Sequence, residues 1–399
     1  MAKDAPAPAG LTAEDVPVVL YLQQALDQAV ALRASDLHFE PFEQHYRVRL
    51  RVDGQLREIA PPPFALKDQL GSRIKVLSRL DIAEKRLPQD GRMQVQVAGA
   101  KRLDLRVSTL PTLFGEKLVM RVLDGNAAHF NLDTLGYNAL QKNNLLRAIQ
   151  KPHGLVLVTG PTGSGKTQSL YACLNLLNTP DVNIATVEDP SEIQLPGVNQ
   201  VNVHDKVGLG FSAALRAFLR QDPDILMVGE IRDHETADIA IKASQTGHLV
   251  LSSLHTNDAP SSLTRLRNMG IAPYNIVSSV SLISAQRLVR RLCVHCRQAV
   301  QVSQETQQEF ELPMTPEPPV FYAAKGCAQC HKGYWGRVGI FQVMPLSQAL
   351  QDLLLSDASQ AQLSMQAQRE GVLSLRQSGL QKALQGITSL EEVLAATSV

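Results

Sequence analysis

Between residues 18 and 34, valine, leucine and alanine recur at helical spacing, and Pro17 just ahead suits a first helical turn. The period then changes. Tyr46, Val48, Leu50 and Val52 alternate with Arg47, Arg49 and Arg51, as residues do on a half-buried strand. Asp53 and Gly54 follow as a hairpin turn. Alternation alone accounts for the three arginines, which read as a solvated sheet face. Further alternating runs at residues 93–97 and 103–107 carry this α+β character to about residue 124.

The pattern is different after residue 125. A stretch at 125–135 reads as a linker, and a second domain spans 136–399. It opens with a helical run at 140–150 that leads into an apolar strand at 155–159. Short apolar runs at 183–187, 225–229 and 249–254 then alternate with helical stretches, the signature of a parallel, doubly wound sheet. Residues 259–292 are helical in pattern. A cysteine-bearing insertion at 290–335 follows, and the region 345–399 reads as helical. Thr388 and Glu391 suggest a capping box for the last helix. No internal repeat is seen.

The most specific chemistry lies directly after the strand at 155–159. Gly160, Pro161, Thr162, Gly163, Ser164, Gly165, Lys166 and Thr167 fit G-x-x-x-x-G-K-T, and a helical segment at 168–177 follows. Such a turn converges backbone N–H groups on phosphates, and the helix points its positive end at them. Lys166 can reach the β- and γ-phosphates of ATP, and the Thr167 hydroxyl can ligate Mg²⁺.

Three more polar groups each stand just after an apolar run: Glu188 with Asp189 and Pro190, then Glu230, then His255. In a parallel sheet the carboxyl ends of the strands share one edge, where ligands bind. Lys166, Glu188, Glu230 and His255 are therefore expected in one crevice. Glu230 suits a carboxylate holding Mg²⁺ through a bound water. Glu188 suits polarisation of the attacking water, and His255 suits sensing of the γ-phosphate. His248 lies seven residues before His255, roughly 23 Å away at ~3.3 Å per strand residue. It belongs at the opposite end of its strand, where a subunit boundary could use it.

Composition narrows the function class. The chain has 399 residues, 44% of them hydrophobic and 19% charged, as in an ordinary globular protein. No run is long enough to cross a bilayer, and residues 1–10 carry no signal peptide pattern, so a cytoplasmic protein is expected. A net charge of +1 provides no general basic field, and no nucleic acid partner is expected. That argues against a nucleic-acid translocase. A small-molecule kinase would leave Glu188, Glu230 and the first domain unexplained. Cys293, Cys296, Cys327 and Cys330 form two C-x-x-C pairs, the spacing of a closed, structural tetrahedral Zn²⁺ site. Cys173 reads as a buried thiol.

Several long motifs in order carry a family resemblance: "ASDLHFEP", "KRLPQDGR", "GPTGSGKT", "TVEDPSE", "RQDPDILMVGEIRD" and "TGHLVLSSLHTNDA". From about residue 34 to the C-terminus the chain resembles the type II/type IV secretion ATPases. "LPGVNQVNV" and "NIVSSVSLISAQRLVRRLC" bring it nearest the pilus-extension branch, with the type II secretion motors close behind. The resemblance implies a PAS-like first domain, a RecA-like ATPase domain and a homo-hexamer. It also implies ATP hydrolysis that drives pilin polymerisation, with type II protein secretion as the alternative. The partner would be a platform protein of the inner membrane, met at its cytoplasmic face. The family's extension and secretion motors share a tetracysteine insertion. Arginines of the first domain complete the nucleotide site in such rings, which points to Arg106 and Arg121, and more weakly to Arg92. Many relatives carry a further N-terminal docking domain, whereas barely thirty residues precede the PAS-like region here.

Overall fold

The computed structural model describes residues 16–97, 101–123, 130–302, 307 and 319–398. The chain divides between residues 126 and 127 into two compact units. Residues 1–10 and 125–129 of the stretches discussed above lie outside the described residues.

The N-terminal unit is α+β. Its first helix, α1 (Val16–Ala31), buries Val18, Leu22, Ala25, Leu26 and Ala29, a single apolar stripe. Strands β1 (Asp36–Pro41), β2 (Tyr46–Val52), β3 (Gln55–Ile59), β4 (Gln89–Val97), β5 (Lys101–Thr112) and β6 (Gly115–Leu123) form one antiparallel sheet in the order β3-β2-β1-β6-β5-β4. Helix α2 (Lys67–Leu77) buries Leu70 and Ile74 in the same core. At the β2–β3 hairpin Asp53 and Gly54 both take positive φ, 50° and 85°, the geometry that matches the twist of the strands. The face carrying Arg47 and Arg49 is not simply solvated. Both arginines bond the buried Glu40 of β1, with Nε to Oε2 distances of 3.1 and 2.7 Å, and Lys117 lies 3.0 Å from its other oxygen. Alternation finds the face but says nothing of the acid that pairs with it across the sheet.

The second unit is α/β. Its helices and strands are α3 (Leu132–Leu135), α4 (Ala139–Ile149), β7 (Gly154–Thr159), α5 (Lys166–Leu177), β8 (Ile184–Glu188), β9 (Asn199–Asn202), α6 (Phe211–Phe218), β10 (Ile225–Val228), α7 (His234–Gln245), β11 (Leu249–Leu254), α8 (Ala259–Asn268), α9 (Pro273–Ser279) and β12 (Val280–Leu292). A small ribbon, β13 (Gln298–Gln301) with β14 (Val320–Ala323), precedes β15 (Tyr334–Pro345). Four helices complete the unit: α10 (Gln348–Leu355), α11 (Gln360–Arg369), α12 (Leu375–Leu384) and α13 (Leu390–Thr397). The main sheet has the order β15-β12-β7-β11-β10-β8-β9, parallel except for β15 against β12. Helices α3–α5 cover one face, and α6–α11 cover the other.

Two expectations are corrected here. Residues 259–292 are not one helical run, because β12 is a thirteen-residue strand. It lies between β7 and β15 with both faces covered, so its inward-facing residues lack the alternation that marks a half-exposed strand. The cap of α13 is Ser389 rather than Thr388. The Ser389 hydroxyl accepts from the N–H of Glu392, while Thr388 donates to the carbonyl of Arg290 at 2.7 Å.

Candidate nucleotide site and cysteine cluster

Strand β7 is fully buried and ends at Thr159, where the chain turns sharply. Gly160 has φ 148°, and a Cβ there would come within 2.5 Å of the Gln286 carbonyl. Gly165, at φ 88°, stands as the residue before α5 and permits the turn into it. The loop therefore leads directly into a helix N-terminus, the arrangement that binds phosphates. Pro161, Thr162 and Gly163 are exposed, Ser164 is buried and Thr167 is half-buried. Lys166 Nζ donates to the carbonyls of Gly160 and Pro161, at 2.8 and 3.1 Å. Burial depresses the Lys166 ammonium below its ordinary pKa and Arg287 adds to the effect, while Glu230 opposes it.

Glu230 follows β10, and His255 follows the adjacent strand β11. Their side chains meet, with His255 Nε2 3.2 Å from Glu230 Oε2. Arg232 bonds the other Glu230 oxygen and also reaches Asp189 Oδ2 at 3.3 Å. Burial works to raise the pKa of Glu230, but Arg232 and His255 outweigh it and hold the carboxyl below the usual glutamate range. Lys166, Glu230 and His255 thus stand together at the carboxyl edge of the sheet. His248 sits before the start of β11, its Nδ1 2.9 Å from the Ala243 carbonyl, at the strand end away from His255.

Glu188 ends β8 on the same edge but turns inward. It is only 4% exposed, and both oxygens are engaged: the Tyr171 hydroxyl donates to one, and Thr186 (2.7 Å) and Gln200 (3.1 Å) donate to the other. In this arrangement it ties helix α5 to strand β8. Glu192, four residues on, is an exposed carboxylate whose backbone N–H meets the same Tyr171 hydroxyl at 3.3 Å.

In the other unit, Arg92 stands opposite Arg106, and Arg106 opposite Arg121, so three guanidinium groups line up across β4, β5 and β6. Arg92 is paired with Asp104 and Arg121 with Asp36, at 2.6 and 3.0 Å, while Arg106 is exposed. Asp104 and Asp36 offset the repulsion of these like charges across the strands.

Sequence reasoning misses four contributors to this edge: Tyr171, Arg232, Gln286 and Arg287. Gln286 is 2% exposed, yet its amide donates to the Ser164 carbonyl at 2.7 Å and accepts from the Ser169 hydroxyl at 2.8 Å. It fastens the phosphate loop to β12. The signal available was a glutamine set among Leu282, Ile283, Ala285 and Leu288, since uncharged polar side chains are seldom buried without partners.

The four cysteines gather at the outer end of β12. Each C-x-x-C is a tight turn, with Cys296 N–H donating to the Cys293 carbonyl and Cys330 N–H to that of Cys327, both at 3.3 Å. All four sulfurs lie within 4.8 Å of one another, and three of the pairs are 3.6–3.9 Å apart. A tetrahedral ion with ~2.3 Å bonds to sulfur would set its ligands about 3.8 Å apart, so the cluster is compatible with zinc. Purified under reducing conditions, the chain is expected to carry about one zinc per molecule, as four thiolate ligands require. Elemental analysis checks this. Cys327→Ser should lose the metal and melt roughly 5 °C lower, since metal binding is coupled to folding.

The family model described as "Type II/IV secretion system protein" matches residues 12–395. The chain is 54% identical over 390 residues to the type IV pilus assembly ATPase PilB of Acinetobacter baylyi, covering 96% of this chain and 67% of that protein. It is 48% identical over 385 residues to the type II secretion system ATPase E of Vibrio cholerae, covering 96% and 76%. Among solved structures it shares the fold of the Legionella pneumophila ATPase DotB (TM-score 0.69, 20% identity, 98% of this chain and 97% of that one). It likewise shares the fold of the pilus retraction motor PilT (TM-score 0.64, 22% identity, 95% and 97%). With a phosphate loop, strand-end carboxylates and this extent of likeness, the chain belongs to the type II/IV secretion system protein family.

Proposed function

We propose that this chain hydrolyses ATP to drive assembly of a type IV pilus. One observation carries the reading: strands distant in sequence bring Lys166, Glu230 and His255 to a single sheet edge beside a phosphate-binding loop. Lys166 and the N-terminus of α5 would bind the phosphates, and Thr167 and Glu230 would hold Mg²⁺. The metal neutralises phosphate charge when bound. His255 reports on the terminal phosphate through its contact with Glu230. Glu188 would polarise water only on leaving its pocket; in the described arrangement it anchors the strand end.

The motor acts as a ring of six, with a RecA-like ATPase domain and a PAS-like first domain in each subunit. The Arg92, Arg106 and Arg121 row offers cationic charge to nucleotide in the assembled ring. The ring works at the cytoplasmic face of the inner membrane on a platform protein, and the cysteines hold structural zinc. No helix among the described residues is long and apolar enough to cross a membrane.

Identity of 50–54% to pilus assembly ATPases against 46–48% to type II secretion proteins favours the pilus, with secretion as the second reading. Expression in a bacterium lacking its own pilus assembly ATPase should restore surface pili. Restoration only of secretion, in a strain lacking the secretion ATPase, would reverse the order.

A further inference from the structure

We infer that Arg287 is a terminal-phosphate ligand supplied by β12, a reading that rests on the ATP-hydrolysis assignment above. The placement comes from strand register. β12 runs parallel to β7 with Ala285 beside Thr159, so Arg287 stands just past the strand end, level with the phosphate loop. Strands β12 and β11 flank β7 on opposite sides. The Arg287 side chain nevertheless reaches Asn257, on the loop after β11 that also bears His255, with Nη2 2.9 Å from Asn257 Oδ1. The loop comes over to meet it, since Ala259 N–H donates to Gln342 of β15 at 2.9 Å, so Arg287 and Asn257 meet on the β12 side of the phosphate loop.

The charge there is unbalanced. Among the described residues no carboxylate lies within ion-pairing distance of Arg287, and Asp258 attracts it only from farther off. Its Nη1 is buried with no hydrogen-bond partner. Lys166, close enough to be influenced by the Arg287 charge, is bonded only to neutral carbonyls. Two cations, one with an unpartnered buried donor, stand at this end of the sheet beside a loop shaped for phosphate. A guanidinium suits this duty because one amino group can stay fixed on Asn257 while the other donates to an anion. The terminal phosphate is the group that Lys166 and the His255 loop would approach together, so Arg287 should separate ATP from ADP.

The test is titration calorimetry on the whole chain with Mg²⁺ and either a non-hydrolysable ATP analogue or ADP. Arg287→Ala should weaken the analogue about tenfold or more and ADP less than about threefold, the loss of a charge-assisted bond to one phosphate. Equal weakening of both ligands, or of neither, in a variant with normal circular dichroism would overturn the inference. Should the alanine variant fail to fold, Arg287→Lys keeps the charge without the fork, and Asn257→Ala frees the tether. Both should show the same selective loss in milder form, and its absence counts against the assignment. Lys166→Ala serves as the control. If that variant binds both ligands normally, the nucleotide site itself is misassigned. If it loses both while Arg287→Ala binds normally, only the role of Arg287 falls.

Discussion

Lys166→Ala is expected to reduce ATP turnover by about a thousandfold, the scale seen when a preorganised charge is removed from a phosphate site. The ammonium does two things. It rests on the Gly160 and Pro161 carbonyls, which fixes its position on the loop, and it supplies positive charge where negative charge must gather. Truncation removes both. The structural cost is small, because two loop carbonyls lose a donor and each is worth about 1 kcal/mol. Phosphate release and a thermal melt, measured side by side, separate the effects. A melt lowered by only a few degrees with turnover lost supports a catalytic loss, and undiminished turnover would remove the loop from the reaction.

Glu230→Gln should lower kcat by roughly a hundredfold or more while leaving ATP affinity within about threefold, since the amide keeps shape and loses charge. Arg232 and His255 converge on this carboxylate, and together they hold its pKa below the ordinary glutamate value. The sign follows. A depressed carboxyl remains ionised as pH falls through the ordinary glutamate range, so Glu230 should contribute no acid limb to the pH–rate profile above about 4.5. In the glutamine variant Arg232 keeps only Asp189 as a charged partner, at 3.3 Å. Single-turnover kinetics and equilibrium binding check the separation. Loss of binding in step with kcat would recast Glu230 as an ordinary contact for the nucleotide.

Legibility in this chain follows the range of the interactions. The Asp53–Gly54 turn and the loop from Gly160 to Thr167 are set by neighbouring residues, so short motifs reveal them. Strand ends also read well: Glu230 and His255 each follow an apolar run and come out in contact. Residues whose partners are remote escape notice. Gln286 bonds Ser164 across more than a hundred residues, and no local pattern announces it. Glu188 shows the reverse fault. Its position at a strand end is legible, but the inward turn is imposed by Tyr171 and Gln200, which the run around Glu188 does not contain. Strand β12 is missed as a strand because burial on both faces erases alternation.

That strand has a geometric corollary. Gln286 lies in β12 and Cys293 directly follows its last residue, so the loop that cradles phosphate and the knuckle that gathers thiolates hang on one backbone at about 3.3 Å per residue, with a register shift between Arg290 and Leu292. Removing one residue between them would shorten that span and disturb the pairing of β12 with β15. The interval between those two centres is therefore fixed by the length of a single strand.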